Sequence, residues 1–479
     1  MVARGGEAVT FWGLTGRRSV RGALAWAVRA VAVLGVFLFV GMGPQSASAA
    51  AGSSYTVVPV QGPAGSCIVR TSAVNDLGDA VGYAQFPGGK PQTSNVRAFY
   101  WHAESLLELA DGDPGAGVFG NGSCSDNPVD AAYDLNALGS IVGQANFKDP
   151  NPGSSIPDRF AALWSPGASA PTSLGVLNSA CYSSGQGSAA GAINAAGDIT
   201  GWSTFCTSNN QQSFAPFFLP HGGVLGTSGQ PIPSGGGAGF GPHALLQGVA
   251  INASDQIVLN TPTNNSGVPL ESDLWSRADN SIKKLPFLVG FSSSVLNDSG
   301  VVVGSDNNLP VYSVGAGPEQ QLKPAGGLPN GVAAGVNSKG DVVGFSSGGG
   351  HVIATLWPAS VPPASGTPPA PVDLQTLLPP GSPQLVSGVA ISSNGTILAT
   401  TNTGYVVLKP GGGIGGTVTD DVGDAPLADG GVTVMATGSN GQVTTSTTDG
   451  NGQYRLWRPV LTPSRRRGIP SCRLPGRSR

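Results

Sequence analysis

The chain has 479 residues, of which 74 are Gly and 39 Pro; only 11% are charged, and the net charge is -3. That balance gives no basic footprint for nucleic acid, and so much Gly and Pro excludes a largely helical protein. Short Val, Ile, Thr and aromatic runs between Gly, Asn, Ser and Pro clusters read as all-β.

At the start, Arg17, Arg18, Arg21 and Arg29 precede an uncharged run from Ala30 to Met42, followed by Ala47-Ser48-Ala49. This is the pattern of a secretory signal peptide over residues 1–49, with cleavage expected after Ala49. The run has thirteen residues, short of the roughly 20 that a permanent span needs. The protein is therefore expected outside the cell, with no permanent membrane span. The pair Arg17-Arg18 leaves twin-arginine and Sec export both open.

From residue 53 to 410 one pattern returns, stated most clearly by Ala192-Ile193-Asn194-Ala195-Ala196-Gly197-Asp198-Ile199-Thr200-Gly201. Its marker is Asn75, Asn136, Asn194, Asn252, Asn297 and Asn337, with Ser392 in the seventh copy. Three residues later stand Gly78, Gly139, Gly197, Gly300, Gly340 and Gly395, with Asp255 in the fourth copy. A hairpin built on a type I turn favours Asn, Asp or Ser at its first position and a residue of positive φ near its end. The marker and the Gly are therefore read as turn residues between two strands. Seven residues after the marker come Gly82, Gly143, Gly201, Gly304 and Gly344, a position that Leu259 and Ala399 break.

Each unit continues with a third strand, such as Arg97-Ala98-Phe99-Tyr100-Trp101 or Ala161-Ala162-Leu163-Trp164, and then a fourth, such as Leu106-Leu107-Glu108-Leu109 or Ile282-Lys283-Lys284-Leu285. Fourth-strand signals are weaker in the third and fifth units. Four strands per unit is the arithmetic of a β-propeller blade. The seventh unit stops after its third strand at Leu408, and the lone strand Tyr55-Thr56-Val57-Val58-Pro59-Val60 is placed to complete it. The expected fold is a seven-bladed β-propeller followed by a partial β-sandwich. The irregular region 222–310 leaves six or eight blades as alternatives, and an open β-solenoid is the rival architecture.

These units resemble the probable extracellular repeats named HAF after a His-Ala-Phe tripeptide, whose units run close to I-N-x-x-G-x-V-V-G followed by H-A-F-L-W. The first half matches in at least five units; the naming tripeptide is degraded to Arg97-Ala98-Phe99 in the first and to His351 before Ala354-Thr355-Leu356-Trp357 in the sixth. The resemblance implies a secreted bacterial protein and brings no catalytic residues.

Cysteines lie at 67, 124, 181, 206 and 472, and in an exported protein they are free to oxidise. Cys181 and Cys206 flank the third hairpin, and Cys67 and Cys124 hold comparable places before the first two. Cys67–Cys124 and Cys181–Cys206 are the expected disulfides.

Beyond the linker Pro410-Gly411-Gly412-Gly413, residues 411–457 alternate apolar and polar in Gly416-Thr417-Val418-Thr419-Asp420, Ala425-Pro426-Leu427-Ala428, Val432-Thr433-Val434-Met435-Ala436 and the run Thr447 to Leu456. This resembles the first half of a carboxypeptidase regulatory-like domain, a transthyretin-type β-sandwich. The basic tail 458–479 has seven Arg and no acidic residue. It is either out of frame or a tail suited to an acidic cell surface.

Little chemistry is legible. His102, His221, His243 and His351 have no partner at zinc spacing, so no metal site is expected. Gly344-Phe345-Ser346-Ser347-Gly348 matches a nucleophile-elbow string without the strand-to-helix turn it needs. Asp111-Gly112-Asp113 has the look of a calcium loop, but no Glu closes it, and a solvated turn is the simpler reading. No cofactor and no catalytic residue is assigned. The expected role is a noncatalytic scaffold, acting as a monomer, whose loops 86–96, 146–158 and 205–213 meet an extracellular glycan or protein. The alternative is a hydrolase or lyase of extracellular polysaccharide with converging carboxylates. Asp79, Asp198 and Asp341, four residues after their markers, are the only periodic carboxylates and are expected as solvated residues opening second strands.

Overall fold

A computed structural model describes residues 55–86, 96–102, 105–112, 130–147, 158–177, 187–206, 212–233, 247–261, 271–358, 370–411, 413–417, 433–437, 443–447 and 453–457. Tyr55–Pro410 forms one compact unit. It contains seven antiparallel sheets, the blades of a propeller, each built from neighbouring segments of chain except the last, which the first strand joins. Among the described residues no helix is long and apolar enough to cross a membrane.

Blade 1 runs outward through Ile68–Val74, Ala80–Gln85, Val96–His102 and Ser105–Glu108. Blade 2 follows with Ala131–Leu135, Ile141–Phe147, Asp158–Trp164 and Thr172–Gly175. Blade 3 has Ser188–Ile193, Ile199–Cys206, Gln212–Leu219 and the two-residue edge Gln230–Pro231. Blade 4 has Gln247–Ile251, Gln256–Asn260, Ser272–Ser276 and Ser281–Lys284. Blade 6 has Asn330–Val336, Val342–Gly348, His351–Trp357 and Val372–Asp373.

Blade 7 is completed by the strand that opens the propeller. Leu385–Ile391, Ile397–Thr401 and Tyr405–Pro410 are joined at the outer edge by Tyr55–Val60, paired antiparallel from Tyr55 with Pro410 to Val60 with Tyr405. The two ends of the unit are thereby hydrogen-bonded into one sheet, which closes the ring at its seam.

Blade 5 departs from the pattern. It has three strands, Val301–Asp306, Leu309–Val314 and Gln320–Gln321. The innermost place is taken by a single 3-10 turn, Ser293–Val295, held by isolated bridges from Leu296 to Val302 and from Leu288 to Ser305.

A β-bulge recurs in the innermost strand of the other six blades, three residues before the marker. The ladder skips Ser72, Tyr133, Gly191, Val249, Ala334 and Val389. A bulged residue is unpaired and tightens the local twist. The bulge also explains the Gly seven residues after the marker. A Cβ at Gly82, Gly143, Gly201 or Gly344 would lie 1.9 Å from a carbonyl oxygen of the facing strand. In blades 4 and 7, where that position is Leu259 and Ala399, the residue opposite is itself a glycine, Gly248 and Gly388.

The core lies between blades, where Trp101, Trp164, Trp357, Phe99, Phe217 and Phe218 are fully buried. In the second unit, Gly413–Thr417 pairs antiparallel with Gln453–Trp457, and Thr433–Thr437 with Val443–Thr447. The segments 1–49, 425–428 and 458–479 lie outside the described residues.

Candidate functional site

The marker turns gather at one end of the inner strands. In each Asn-marked turn the Gly or Asp three residues on donates its N–H to the marker carbonyl, at 3.0 to 3.1 Å, as in Gly78 to Asn75 and Asp255 to Asn252. Those closing residues have positive φ, from 54° at Asp255 to 93° at Gly395, where the seventh marker is Ser392. The side-chain oxygen of Asn297 accepts from the N–H groups of Ser299 and Val301, at 3.0 and 2.9 Å. Asn75, Asn136, Asn252 and Asn337 repeat this two-donor pattern, and Asn194 accepts from Asp198.

In blades 2 to 6 the other half of the amide leaves its blade, whereas Asn75 donates to Asp79 of its own blade. Asn136 donates to the carbonyl of Asn194, Asn194 to Asn252, Asn252 to Asn297, Asn297 to Asn337 and Asn337 to Ser392, at 2.9 to 3.3 Å. At the seam Ser392 has no amide, and Asn394 takes over by bonding Asp76 through its backbone N–H and its side chain. The markers thus form a belt that ties successive blades. The cavity at this end, lined by residues of all seven blades, is a structural collar because the marker amides of blades 2 to 6 are taken up by the belt.

The periodic carboxylates do not converge here. None of Asp79, Asp198 and Asp341 lines that cavity; each instead accepts from its own marker amide, at 2.9 to 3.2 Å. Asp79 also corrects the expectation of a solvated residue, since it is 2% exposed. It holds Nδ1 of His102 at 2.7 Å and accepts the Tyr100 hydroxyl at 3.0 Å. Burial and the adjacent carboxylate push the Tyr100 phenol up. Tyr100 and His102 stack on one another, 5.6 Å between centroids.

The opposite end of the inner strands opens on a different surface. A cavity of about 390 Å³ is lined by Tyr83, Tyr133, Trp202, Phe291 and Tyr405, with Arg70 and Gln247 among the polar residues. Four of these rings are half-buried, and Phe291 is 46% exposed. Tyr133 occupies the bulge of blade 2, so the bulge turns its ring into the axis. Burial pushes its phenol up to about 12, so it stays a neutral hydroxyl. Tyr83 and Trp202 hold the same place in blades 1 and 3, one residue beyond the Gly that faces the bulge. Trp202 is braced by Phe214, with centroids 6.0 Å apart. No Asp or Glu is among the described residues that line this mouth.

Beneath the mouth, the 3-10 turn of blade 5 crosses the axis. Ser293 lines the cavity and donates its hydroxyl to Asp134 of blade 2 at 2.7 Å, while Asp134 also accepts the N–H of Ile193 at 2.9 Å. Burial outweighs these bonds and raises the Asp134 carboxyl to about 6.

Gly344 to Gly348 lies within the strand Val342–Gly348 and makes no elbow. Among the described residues no group of three or more His, Cys, Asp or Glu is placed to hold a metal ion. Cys67 and Cys206 are each disulfide-bonded; their expected partners Cys124 and Cys181 lie outside the described residues, as do Cys472, His243, Asp113 and most of the loops 86–96, 146–158 and 205–213. The sequence analysis looked to the loops for a binding surface and so missed the ring of Tyr83, Tyr133, Trp202 and Tyr405. The signal was present in Tyr83 and Trp202, both eight residues after their markers.

No family model matches the chain, and no curated protein matches it. Among solved structures, the chain is similar to a fungal alcohol oxidase of the AA5 family in complex with copper, at 12% identity and TM-score 0.33, over 85% of this chain and 93% of that one. It is also similar to a mutant of AofleA from Arthrobotrys oligospora, at 11% identity and TM-score 0.29, over 85% and 91% of the two chains.

Proposed function

We propose that the propeller is an extracellular recognition module that binds a glycan, without cleaving it, in the aromatic mouth of its axis. The observation that carries this reading is the convergence of Tyr83, Tyr133, Trp202, Phe291 and Tyr405 on one cavity. Aromatic faces offer large, rigid contact area at little entropic cost, with hydroxyl and indole edges for polar groups. The cavity is within the range of about 300–1,000 Å³ usual for small-ligand sites, and Arg70 and Gln247 add hydrogen-bond donors at its rim.

Export agrees with this role. The amino-terminal signal pattern, the HAF-like repeats and the carboxypeptidase regulatory-like segment all belong to secreted proteins, and disulfide-bonded Cys67 and Cys206 suit an oxidising compartment. Hydrolysis of polysaccharide by paired carboxylates needs two acids about 5–10 Å apart across the sugar. The described lining of the mouth contains none, so recognition is favoured over cleavage.

The test is a screen of the full exported chain on a panel of cell-wall and extracellular glycans, with the same samples assayed for released sugars. Saturable binding with no product supports the reading. Product release, or absence of any glycan binding, overturns it.

A further inference from the structure

The inner strands of a propeller surround a central channel, and here the 3-10 turn Ser293–Val295 of blade 5 stands in that channel. The turn touches the inner strands of blades 3, 4, 6 and 7, and Ser293 reaches across the ring to Asp134 of blade 2 at 2.7 Å. Val295 is fully buried. A Cβ at Gly335 of blade 6 would lie 2.7 Å from Oγ of Ser294, so blade 6 fits closely against the turn. The hydroxyls of Ser292 and Ser294 brace it from within, 3.0 Å apart. Ser292 and Ser293 line the aromatic mouth, whereas Ser294 and Leu296 line the collar cavity at the other end. The two linings share no residue. The turn is thus a plug, and the mouth is a cup with a floor.

The wall of the cup is drawn from successive blades. Blades 7, 1, 2, 3 and 4 contribute Tyr405, Tyr83, Tyr133, Trp202 and Gln247 in turn. Below the rim the lining changes from rings to hydroxyls. Ser72 fills the bulge of blade 1, where the ladder skips it, and it is half-buried; it lies two residues farther toward the collar than Arg70 on the same strand. With Ser292 and Ser293 of the plug it puts neutral hydroxyl groups at the bottom of the cavity. Hydroxyls below and aromatic faces beside are the partners that a sugar ring takes by its edge and by its face. The volume of about 390 Å³ is near the small end of the range for small-ligand sites. An internal stretch of polysaccharide would have to climb out over two facing walls, whereas a chain end can descend to the floor.

Resting on the reading of the mouth as a glycan site, we propose that it takes the terminal sugar residue of a glycan, inserted end-on onto the plug, and does not take an internal run of the chain. The aromatic walls then hold the faces of one sugar, and the floor serines meet its hydroxyls. The remainder of the glycan leaves along the axis.

The experiment uses the full exported chain bound to the glycans it retains. Methyl glycosides of glucose, galactose, mannose, fucose and N-acetylglucosamine are added as competitors, followed by linear oligosaccharides of the same sugars. The expected result is that one methyl glycoside displaces the glycan at about 10 mM, and that each added sugar strengthens competition by less than about threefold. Ser72→Phe, which fills the cup below its rim, should weaken glycan binding about tenfold or more; if that variant does not fold, the competition series on the unmodified chain decides alone. Competition by oligosaccharides only, gaining about tenfold with each sugar, overturns end-on insertion and leaves glycan recognition standing. Undiminished binding by folded Ser72→Phe also overturns it, because the ligand then lies across the rim. Failure to bind any glycan removes the underlying reading and this inference with it.

Discussion

The side-chain amide of Asn297 donates to the backbone carbonyl of Asn337, 2.9 Å away in the next blade, while its oxygen holds two N–H groups of its own turn. One buried residue therefore closes a hairpin and joins two blades. Asn297→Ala removes three buried hydrogen bonds and should destabilise the propeller by about 3 kcal/mol, at about 1 kcal/mol each. Asn297→Asp keeps both acceptors but loses the donor to Asn337, and should also destabilise. Urea unfolding of both variants checks this. An Asp variant as stable as the parent would show that the belt contributes nothing.

The bulge and the glycine that faces it form a second dependence. Gly143→Ala would place a Cβ 1.9 Å from the Ala131 carbonyl oxygen and should cost about 3 kcal/mol. Leu259 is tolerated opposite Gly248, and Ala399 opposite Gly388. Adding Ala132→Gly to Gly143→Ala should therefore recover part of the loss, as a double-mutant cycle would measure.

Asp134 gives a pH dependence of defined sign. Its carboxyl is raised from an ordinary 3.8 to about 6 by burial, so the folded state binds the proton more tightly than the unfolded chain does. The stabilisation from this proton is complete below about pH 4 and is lost as pH rises through about 6, a change of about 3 kcal/mol. Asp134→Asn can still accept from Ile193 and donate to Ser293. Its stability relative to the parent should climb between pH 4 and 7, as parallel denaturant curves would record.

The seam is testable by truncation. Removing residues 55–60 deletes the outer strand of blade 7, six paired residues that include buried Tyr55 and Val60. Thermal unfolding should lose its cooperative transition or shift down by about 10 °C.

The blades and their closure were legible in the sequence because the same short-range rules repeat seven times. Asn accepts turn N–H groups, Gly supplies positive φ, and apolar residues alternate between. The belt was less legible, because the donor half of Asn136, Asn194, Asn252, Asn297 and Asn337 points to a residue 40 to 61 positions away, as from Asn297 to Asn337 or from Asn194 to Asp255. Leu259 and Ala399 looked like breaks in the pattern only because the compensating Gly248 and Gly388 lie across a ladder. Blade 5 hid its missing inner strand, since Leu296 and Asn297 keep the motif while the residues before them form a 3-10 turn. The bond from Ser293 to Asp134 spans 159 residues and has no local signature. The aromatic mouth draws single residues from five blades, and the bulge that turns Tyr133 inward is a backbone feature without a residue code.

The most direct measurement of the proposed role is glycan binding by the full exported chain compared with Trp202→Ala and Tyr83→Ala. Trp202 and Tyr83 line the mouth at equivalent places in blades 1 and 3, outside the belt and the bulges. The expected result is that each variant keeps the parent Tm within about 2 °C and loses binding about tenfold, from about 1–1.5 kcal/mol of aromatic contact. Undiminished glycan binding by both variants would contradict recognition at the mouth.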